Sequence, residues 1–415
     1  MTQYIVADDL TGASDAGVQF AKRGARTVVW LDYERPVDFD ADVVGVDTDS
    51  RAESPATAYA RMSTLLLRLQ PHAPRDIVKK IDSTLRGNFG PEIRALLDRL
   101  PDAFAIVWPA YPKNGRTSRD GVLFMHGTPV DETDFGRDLF SPVRDARIAA
   151  HLEVSSTVID LATVREGVDV VSRAIDAARR HAIRVAIVDA ETDDDLRVLA
   201  SLDERCGDII WAGSAGIIEM LDHGRTYAPY EPPPTTGAVV FLIGSLSEMT
   251  QRQIHEFGRH AAVEELGPSE ILCGAPGVSA AVDRIREALE RGDDALVSLE
   301  GERVAVAAAL ALGTGRGWNA RLTSERLREA LLAAIAPLVN GRPGATFVLS
   351  GGDIARSFCD AFGIRGMTLL AETAPGIPLS RAIGADMFLV TKAGGFGRPE
   401  TYRDILTALK SKVIA

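Results

Sequence analysis

At 415 residues the chain is longer than one ordinary core, so two or three domains are expected. An apolar fraction of 46% with 25% charged residues is that of a water-soluble globular protein and excludes intrinsic disorder. A net charge of −12 excludes nucleic acid as a main partner, because phosphate backbones need basic surface, yet leaves room for a small anion held by a local cluster.

In chain order, the first half alternates short β-branched runs with helical patterns. Strands are expected at Tyr4–Ala7, Thr27–Leu31, Val43–Val46, Ile77–Ile81, Ala105–Val107, Val185–Val188 and Ile209–Trp211. Helices are expected at Ala13–Lys22, Pro55–Leu69, Glu92–Leu100 and Val164–Arg180. Near-continuous apolar strands separated by helices imply a parallel sheet covered on both faces. From Asp120 to Val143 the pattern weakens into Gly, Pro, Asp and Thr, which reads as a long functional loop. The segment 227–236, YAPYEPPPTT, cannot be helix or central strand and reads as an extended linker. After it come a strand at Ala238–Ile243, a helix from Glu248, a strand near Ala295–Leu299 and a helix over Glu325–Leu338. Further strands are expected at Thr346–Leu349, Thr368–Leu370 and Phe388–Val390. The fold class is therefore α/β, with two domains, 1–226 and 237–415, each holding a largely parallel sheet covered by helices and joined by the proline-rich linker.

Cys206, Cys273 and Cys359 are too widely spaced for a metal site or a disulfide framework and read as small buried hydrophobes. The N-terminus lacks a basic region, which argues against a signal peptide. No apolar run approaches the roughly 18 residues of a membrane helix. The alanine-rich run from Val304 to Leu312 reads as a buried helix, and the expected location is the cytoplasm, with no membrane partner.

The strand ends carry the chemistry. The first delivers Asp8, Asp9 and Thr11; the third, Asp47, Thr48, Asp49, Ser50 and Arg51; the fourth, Lys79, Lys80, Asp82, Ser83, Thr84, Arg86, Gly87 and Asn88; the last, Gly213 and Ser214. If the strands are parallel, all four sets open on one edge, where ligands bind in open α/β sheets. Carboxylates and hydroxyls suit a polyol, and Arg and Lys suit a carboxylate or phosphate. Each has a structural alternative. An aspartate at a strand end often caps a helix, and Arg86 in its turn can serve a salt bridge. Lys79 and Lys80 alternate across a strand, so at most one of them faces the site and the other is expected in solvent. Asp193–Asp195 reads as a solvated helix start, and His126 as incidental. In the second half, glycine-rich turns follow three strands: Gly244–Ser247, Ser350–Asp353 and Lys392–Gly397. Backbone amides in such turns cradle phosphates. Neither a Walker loop nor a dinucleotide fingerprint is present.

These stretches together resemble the four-carbon acid sugar kinases. The matching segments are ADDLTGASDAG from Ala7, DTDSR from Asp47, KKIDSTLRGNFG from Lys79, PAYPKNGRT from Pro109, GSAG from Gly213, GSLS from Gly244, SGGD from Ser350 and KAGGFG from Lys392. The resemblance implies an ATP-dependent kinase that phosphorylates the terminal C4 hydroxyl of D-threonate or D-erythronate, with a 3-oxo-tetronate kinase as the alternative and a non-catalytic sugar-acid sensor as the rival class. It implies a sugar-acid pocket of Asp8, Asp9, Arg51, Lys80, Asp82 and Arg86. It also implies a nucleotide pocket of Ser245, Ser247, Gly351, Gly352, Asp353, Gly394 and Gly395. In this scheme Arg51 and Arg86 hold the substrate carboxylate, and Asp8 or Asp9 binds hydroxyls. Asp9 and Asp82 are the candidate proton acceptors, while Lys80 offsets their repulsion. Mg²⁺ accompanies ATP, no protein metal site is expected, and a homodimer is the expected assembly. Two residues depart from the family pattern: Asp353 stands where Glu is usual, and Leu246 where Cys is familiar.

Overall fold

The computed structural model describes residues 2–33, 40–69, 76–137, 141–202, 208–221, 237–258, 261–301, 303–340 and 342–411, the side chain of residue 303 excepted. It divides into two compact units, Met1–Pro229 and Tyr230–Ala415. The proline-rich segment 227–236 and Cys206 lie outside the described residues.

The strands of the first unit are β1 (Gln3–Ala7), β2 (Thr27–Trp30), β3 (Val43–Asp47), β4 (Ile77–Lys80), β5 (Phe104–Trp108), β6 (Arg116–Arg119), β7 (Val122–Met125), β8 (Thr128–Pro129), β9 (Ser156–Ile159), β10 (Val185–Val188) and β11 (Ile209–Gly213). Its helices are α1 (Leu10–Ala21), α2 (Pro55–Leu69), α3 (Phe89–Arg99), α4 (Leu161–Arg165), α5 (Val168–Arg180), α6 (Asp193–Ala200) and α7 (Ala215–Met220). The main strands run in the order β2-β3-β1-β4-β11-β5-β10-β9, and the pairs are parallel. VVGVD of β3 and FAIVW of β5 are buried along their whole length, as strands covered on both faces must be. In α2 the buried residues Ala58, Met62, Leu65 and Leu66 recur at helical spacing and form one inward stripe. Ile5, Phe20, Trp108, Trp211 and Ile217 meet in one core cluster, each such side chain contributing ~1.5–3 kcal/mol of burial free energy.

The winding positions the site. From β1 the chain crosses to β2, returns to β3 beside β1, then crosses to β4 on the other side of β1. The connections leaving β1 and β4 therefore diverge and open a crevice at their carboxyl ends.

The second unit holds β12 (Val239–Ile243), β13 (Ala262–Leu266), β14 (Ala295–Leu299), β15 (Ala345–Ser350), β16 (Gly366–Ala374), β17 (Ile377–Ile383) and β18 (Met387–Lys392). Its helices are α8 (Glu248–Phe257), α9 (Pro268–Cys273), α10 (Pro276–Glu290), α11 (Arg303–Gly315), α12 (Ala320–Val339), α13 (Gly352–Ala361) and α14 (Thr401–Lys410). The order is β13-β14-β12-β15-β18-β17-β16. Its first five strands in that order are parallel, and β17 is antiparallel to both neighbours. The winding repeats that of the first unit: β12 leads to β13, back to β14, then across to β15, so the divergence falls between β12 and β15.

Several expectations are corrected. The 120–143 segment is not a loop: β6, β7 and β8 form a small antiparallel sheet. Its two turns, Asp120-Gly121 and His126-Gly127, have positive φ at both residues, as tight hairpins require. The single helix expected over Val164–Arg180 is broken into α4 and α5 at Gly167, whose φ is 104°. The alanine-rich helix α11 is largely at the surface, with Val304 78% exposed. Cys359 is buried but Cys273 is exposed. The acidic run does start α6, through a Thr192–Asp195 capping box, but Asp195 is buried against Arg165 rather than solvated. Among the described residues no helix is long and apolar enough to cross a membrane.

Candidate active site

Parallel register sets the sugar-side cluster. Ala7 pairs with Asp47, Val6 with Lys79, and Lys80 with Gly213, so the residues after β1, β3, β4 and β11 leave on one edge. Arg51 reaches across from the turn after β3 and binds both aspartates. Its Nε donates to Asp8 Oδ2 at 3.0 Å, Nη1 to Asp9 Oδ2 at 2.8 Å, and Nη2 to Asp8 Oδ1 and Asp9 Oδ1, both at 2.8 Å. Four of the roughly five N–H donors of the guanidinium are thus committed inside the protein. Asp9 also caps α1, accepting from Gly12 N at 2.9 Å and from Thr11 Oγ1 at 2.6 Å. The capping and the functional readings of Asp9 therefore coexist. Burial alone would raise the pKa of Asp8; the adjoining Arg51 charge and its hydrogen bonds, with Lys79, outweigh it and hold the carboxyl below its ordinary value.

After β4, Asp82 Oδ2 accepts from Arg86 Nε at 2.6 Å and from Thr84 Oγ1 at 2.5 Å. Burial again opposes ionisation, but Arg86 and Arg51 drive this carboxyl far below the usual carboxylate range. Leu85 has a φ of 63° and Gly87 one of 93°, strain of the kind that clusters at ligand sites. Only glycine fits at Gly87, because a Cβ there would lie 2.3 Å from Asp8 Oδ2. Arg86 also stacks over the Phe135 ring at 4.9 Å. Lys80, 5% exposed, donates to Ile81 O at 3.1 Å. Its Nζ lies beside Gly12, 3.4 Å from where a Cβ would stand. Ser83 sits partly exposed in the same turn. A cleft of about 190 Å³ adjoins the cluster, lined by Arg51, Ala52, Glu53, Leu85, Arg86, Gly87, Asn88, Ser141, Pro142 and His151.

Some expected residues go elsewhere. Lys79 is not in solvent: it is fully buried and forms an ion pair with Glu92 Oε2 at 2.9 Å. Glu92 Oε1 accepts from Ser50 Oγ at 2.6 Å, and burial, reinforced by the Asp8 charge, raises the Glu92 pKa despite Lys79. Asp47 accepts from the Asp49 backbone N–H at 2.7 Å, a local turn contact. Ser214, 1% exposed, caps α7 and donates to Ala110 O at 2.8 Å. Gly213 is required by packing, since a Cβ would lie 2.7 Å from Trp108 O. This pair joins β11 to the exit of β5 rather than presenting donors to a ligand. Sequence reasoning passed over Glu92 and gave no role to Asn88, whose amide donates to Ser50 O and Glu53 O, each at 2.9 Å, and so shapes the turn that carries Arg51. The apolar-strand pattern offered no signal for Glu92, which sits on a helix.

In the second unit, Ile243 pairs with Ser350 and Ser350 with Lys392, so the three glycine turns emerge side by side. Ser247 caps α8 through Thr250 N at 3.2 Å. Thr250 Oγ1 donates to Ser245 Oγ at 2.8 Å and lies 2.9 Å from Gly394 O, tying the first turn to the third. A Cβ at Gly394 would lie 2.3 Å from Ser245 Oγ, and Gly351 has a φ of 118°. Asp353 is 72% exposed, with Arg328 Nη1 at 3.6 Å. Leu246 is exposed at 38%.

Lys392 is fully buried and donates to Ala393 O at 3.0 Å and Gly394 O at 2.7 Å, with its Nζ 5.4 Å from the Tyr402 ring centre. Burial pulls this ammonium down from 10.5 to about 7. Between those values the unfolded chain holds more protons than the fold, so stability rises with pH. Relative to a Lys392→Met variant, the wild type is expected to gain unfolding free energy as pH rises from about 7 to about 9, by at most ~1.4 kcal/mol per pH unit. Denaturant-unfolding midpoints at each pH measure this; a difference independent of pH would show that Lys392 keeps its charge.

Comparison with known proteins agrees with this division. A family described as a sugar-binding N-terminal domain matches residues 3–221, and one described as a nucleotide-binding C-terminal domain matches residues 240–402. A D-threonate kinase of Cupriavidus necator is 34% identical over 96% of this chain and 95% of its own length. A D-erythronate kinase of Heliobacterium modesticaldum is 31% identical over 99% and 97%. A 3-oxo-tetronate kinase of Methylobacterium radiotolerans is 31% identical over 94% and 95%. A crystal structure from Salmonella typhimurium LT2 shares the fold, with a TM-score of 0.78 at 24% identity and 99% coverage of both chains. With its two matched domains and full-length relatives above 30% identity, the chain belongs to the four-carbon acid sugar kinase family.

Proposed function

We propose that the protein transfers the γ-phosphoryl group of ATP to the C4 hydroxyl of a four-carbon sugar acid, D-threonate or D-erythronate, with a 3-oxo-tetronate as the alternative substrate. The observation that carries this is the charge cluster at the β1/β4 crevice. Asp8 and Asp82 are held ionised by Arg51 and Arg86, so they are acceptors for sugar hydroxyls. Phosphoryl transfer through a loose transition state needs positioning and charge neutralisation more than a strong base. Asp82, a weak base at its depressed pKa, fits a hydrogen-bond acceptor, and Asp9 is the other candidate for the hydroxyl proton.

The glycine turns suit phosphate oxygens, because backbone N–H groups at strand-to-helix turns bind anions, and Gly394 lets the third turn close on the Ser245 side chain. Ser245, Ser247, Gly351, Gly352, Gly394 and Gly395 would hold the nucleotide, with Asp353 as a rim contact. Among the described residues no group of three His, Cys, Asp or Glu side chains could hold a metal ion. Mg²⁺ would be held by phosphates and water, where it neutralises phosphate charge.

A coupled ADP-release assay against D-threonate, L-threonate, D-erythronate and the 3-oxo acids tests the reading. One acid is expected to exceed the others in kcat/KM by at least roughly tenfold, the discrimination that a hydrogen-bonding site gives against a misplaced hydroxyl. Activity on none of them would remove the substrate class.

A further inference from the structure

Arg116 has no part in the scheme above. It opens β6, just past the short turn Pro112–Asn114 that follows β5. Tyr111 and Arg116 exchange two backbone hydrogen bonds, of 2.8 and 3.1 Å, and Gly115 closes the turn at a φ of 69°. Since β5 lies next to β11, and β11 next to β4, this turn leaves the sheet on the same edge as Asp82–Gly87.

The side chain is 9% exposed. Its Nη1 donates to Asn114 O, while its Nε–H is buried with no acceptor. Among the described residues no carboxylate forms an ion pair with it. The groups acting on its charge are Asp82, Arg86 and Tyr111, and burial lowers its pKa. A buried guanidinium with an unmet donor beside a second guanidinium is costly unless an anion joins them.

The neighbouring groups do not supply that anion. Asp82 already accepts from Arg86 and Thr84. Arg51 is committed to Asp8 and Asp9, so it is poorly placed to serve as the main anchor of a ligand carboxylate. Lys79 and Glu92 neutralise each other.

We propose that Arg116, with Arg86, holds the carboxylate of the sugar acid, and that Arg51 instead positions Asp8 and Asp9. The assignment rests on the sugar-acid reading of this site. The Nε–H of Arg116 donates to one carboxylate oxygen, and the hairpin turn that carries Arg116 becomes part of the acid-recognition surface.

The test compares wild type with Arg116→Gln and Arg116→Lys. Steady-state kinetics give KM for the acid, KM for ATP and kcat; calorimetry gives the Kd of the acid without nucleotide. Losing a buried charge-assisted hydrogen bond should raise KM and Kd for the acid roughly 10- to 100-fold in Arg116→Gln. KM for ATP should stay within about twofold, and Arg116→Lys should recover part of the loss because it keeps the charge without the fork. Acid KM and Kd unchanged in both variants would overturn the proposal. So would a fall in kcat with acid affinity intact, which marks a structural role. If thermal melting shows Arg116→Gln to be unfolded, Arg116→Lys carries the same readouts. Wild-type turnover of any acid in the panel keeps the kinase reading whatever the variants do, whereas a wild type that neither binds nor phosphorylates any of them overturns both.

Discussion

Replacing Asp9 by Asn should lower kcat on the preferred acid by ~10²–10⁴, the usual cost of losing a positioned proton acceptor, with little loss of stability. Asn is as good an N-cap as Asp, so Gly12 N keeps its acceptor. Arg51 keeps its contacts to Asp8, so no charge is left unpaired, and the one bond given up is that from Arg51 Nη1, where the amide NH2 replaces Oδ2. What changes is the charge and basicity at one carboxylate facing the site. Asp82→Asn is the companion measurement. Its carboxylate is held far down by Arg86 and Arg51, so its loss should also remove an anchor of the Arg86 side chain and weaken acid binding. Single-turnover rates separate these effects from product release. If both variants turn over like the wild type, neither aspartate takes the proton and the roles assigned to them are wrong.

The second large effect is on stability. Lys79→Met should destabilise the first unit by ~3–5 kcal/mol, the cost of stripping one partner from a buried ion pair. Lys79 and Glu92 are both 0% exposed at 2.9 Å separation, and no solvent is at hand to solvate the orphaned carboxylate. The deficit should depend on pH. Burial already raises the Glu92 pKa above its ordinary 4.5, and losing Lys79 raises it further. A group with a raised folded pKa contributes its stability below the unfolded value and loses it as pH rises through the folded one. The variant should therefore lie closest to wild type near pH 5 and furthest from it near pH 8. A Lys79→Met, Glu92→Leu double variant should recover most of the loss, since an apolar pair of similar volume replaces the ions. Urea titrations at the two pH values measure all three proteins. A single-variant deficit below about 1 kcal/mol at both pH values would place the pair in water, as exposed pairs behave.

The two predictions rest on residues of unequal legibility. Asp9 was readable because a β-branched run stops at two carboxylates and a helix pattern begins. Lys79 was misread, because alternation along a strand says that neighbouring side chains face opposite ways but not what lies on each side. Here the far side holds Glu92 of α3, a helix residue whose inward direction depends on how α3 packs. The 120–143 hairpins were legible in principle: Asp120-Gly121 is a standard two-residue turn signal. β7, VLFM, carries a short apolar run that the loop reading passed over, whereas the two-residue β8, Thr128–Pro129, lacks the run that marks a core strand. The same applies to β13, whose AVEEL carries two glutamates at the edge of its sheet, and to β17, whose IPLSRAI is paired only from its antiparallel neighbours.

Arg116 marks the limit from the other direction. It lies inside a stretch that resembles the family, yet nothing local distinguishes it from any arginine opening a short strand. Its burial, its unmet Nε–H and its place beside Asp82 and Arg86 arise from the pairing of β5, β11 and β4. Arg51 is the reverse case. The sequence marked it as a site residue and assigned it to the ligand, while the fold gives most of its donors to Asp8 and Asp9.

From sequence alone came the α/β class, the positions of the apolar strands, the residue types at their carboxyl ends and the family, because each is written in local composition and spacing. The tertiary structure decided which charge meets which. Two adjacent aspartates at a strand end are bound by one forked guanidinium, a lysine expected in water is sealed against a glutamate, and an unassigned arginine is buried with an Nε–H that finds no acceptor among the described residues. Those outcomes depend on distances between residues from about a dozen to about 40 positions apart in the chain, and Coulomb energy at a buried site varies so steeply with distance and solvent access that no local pattern can fix it.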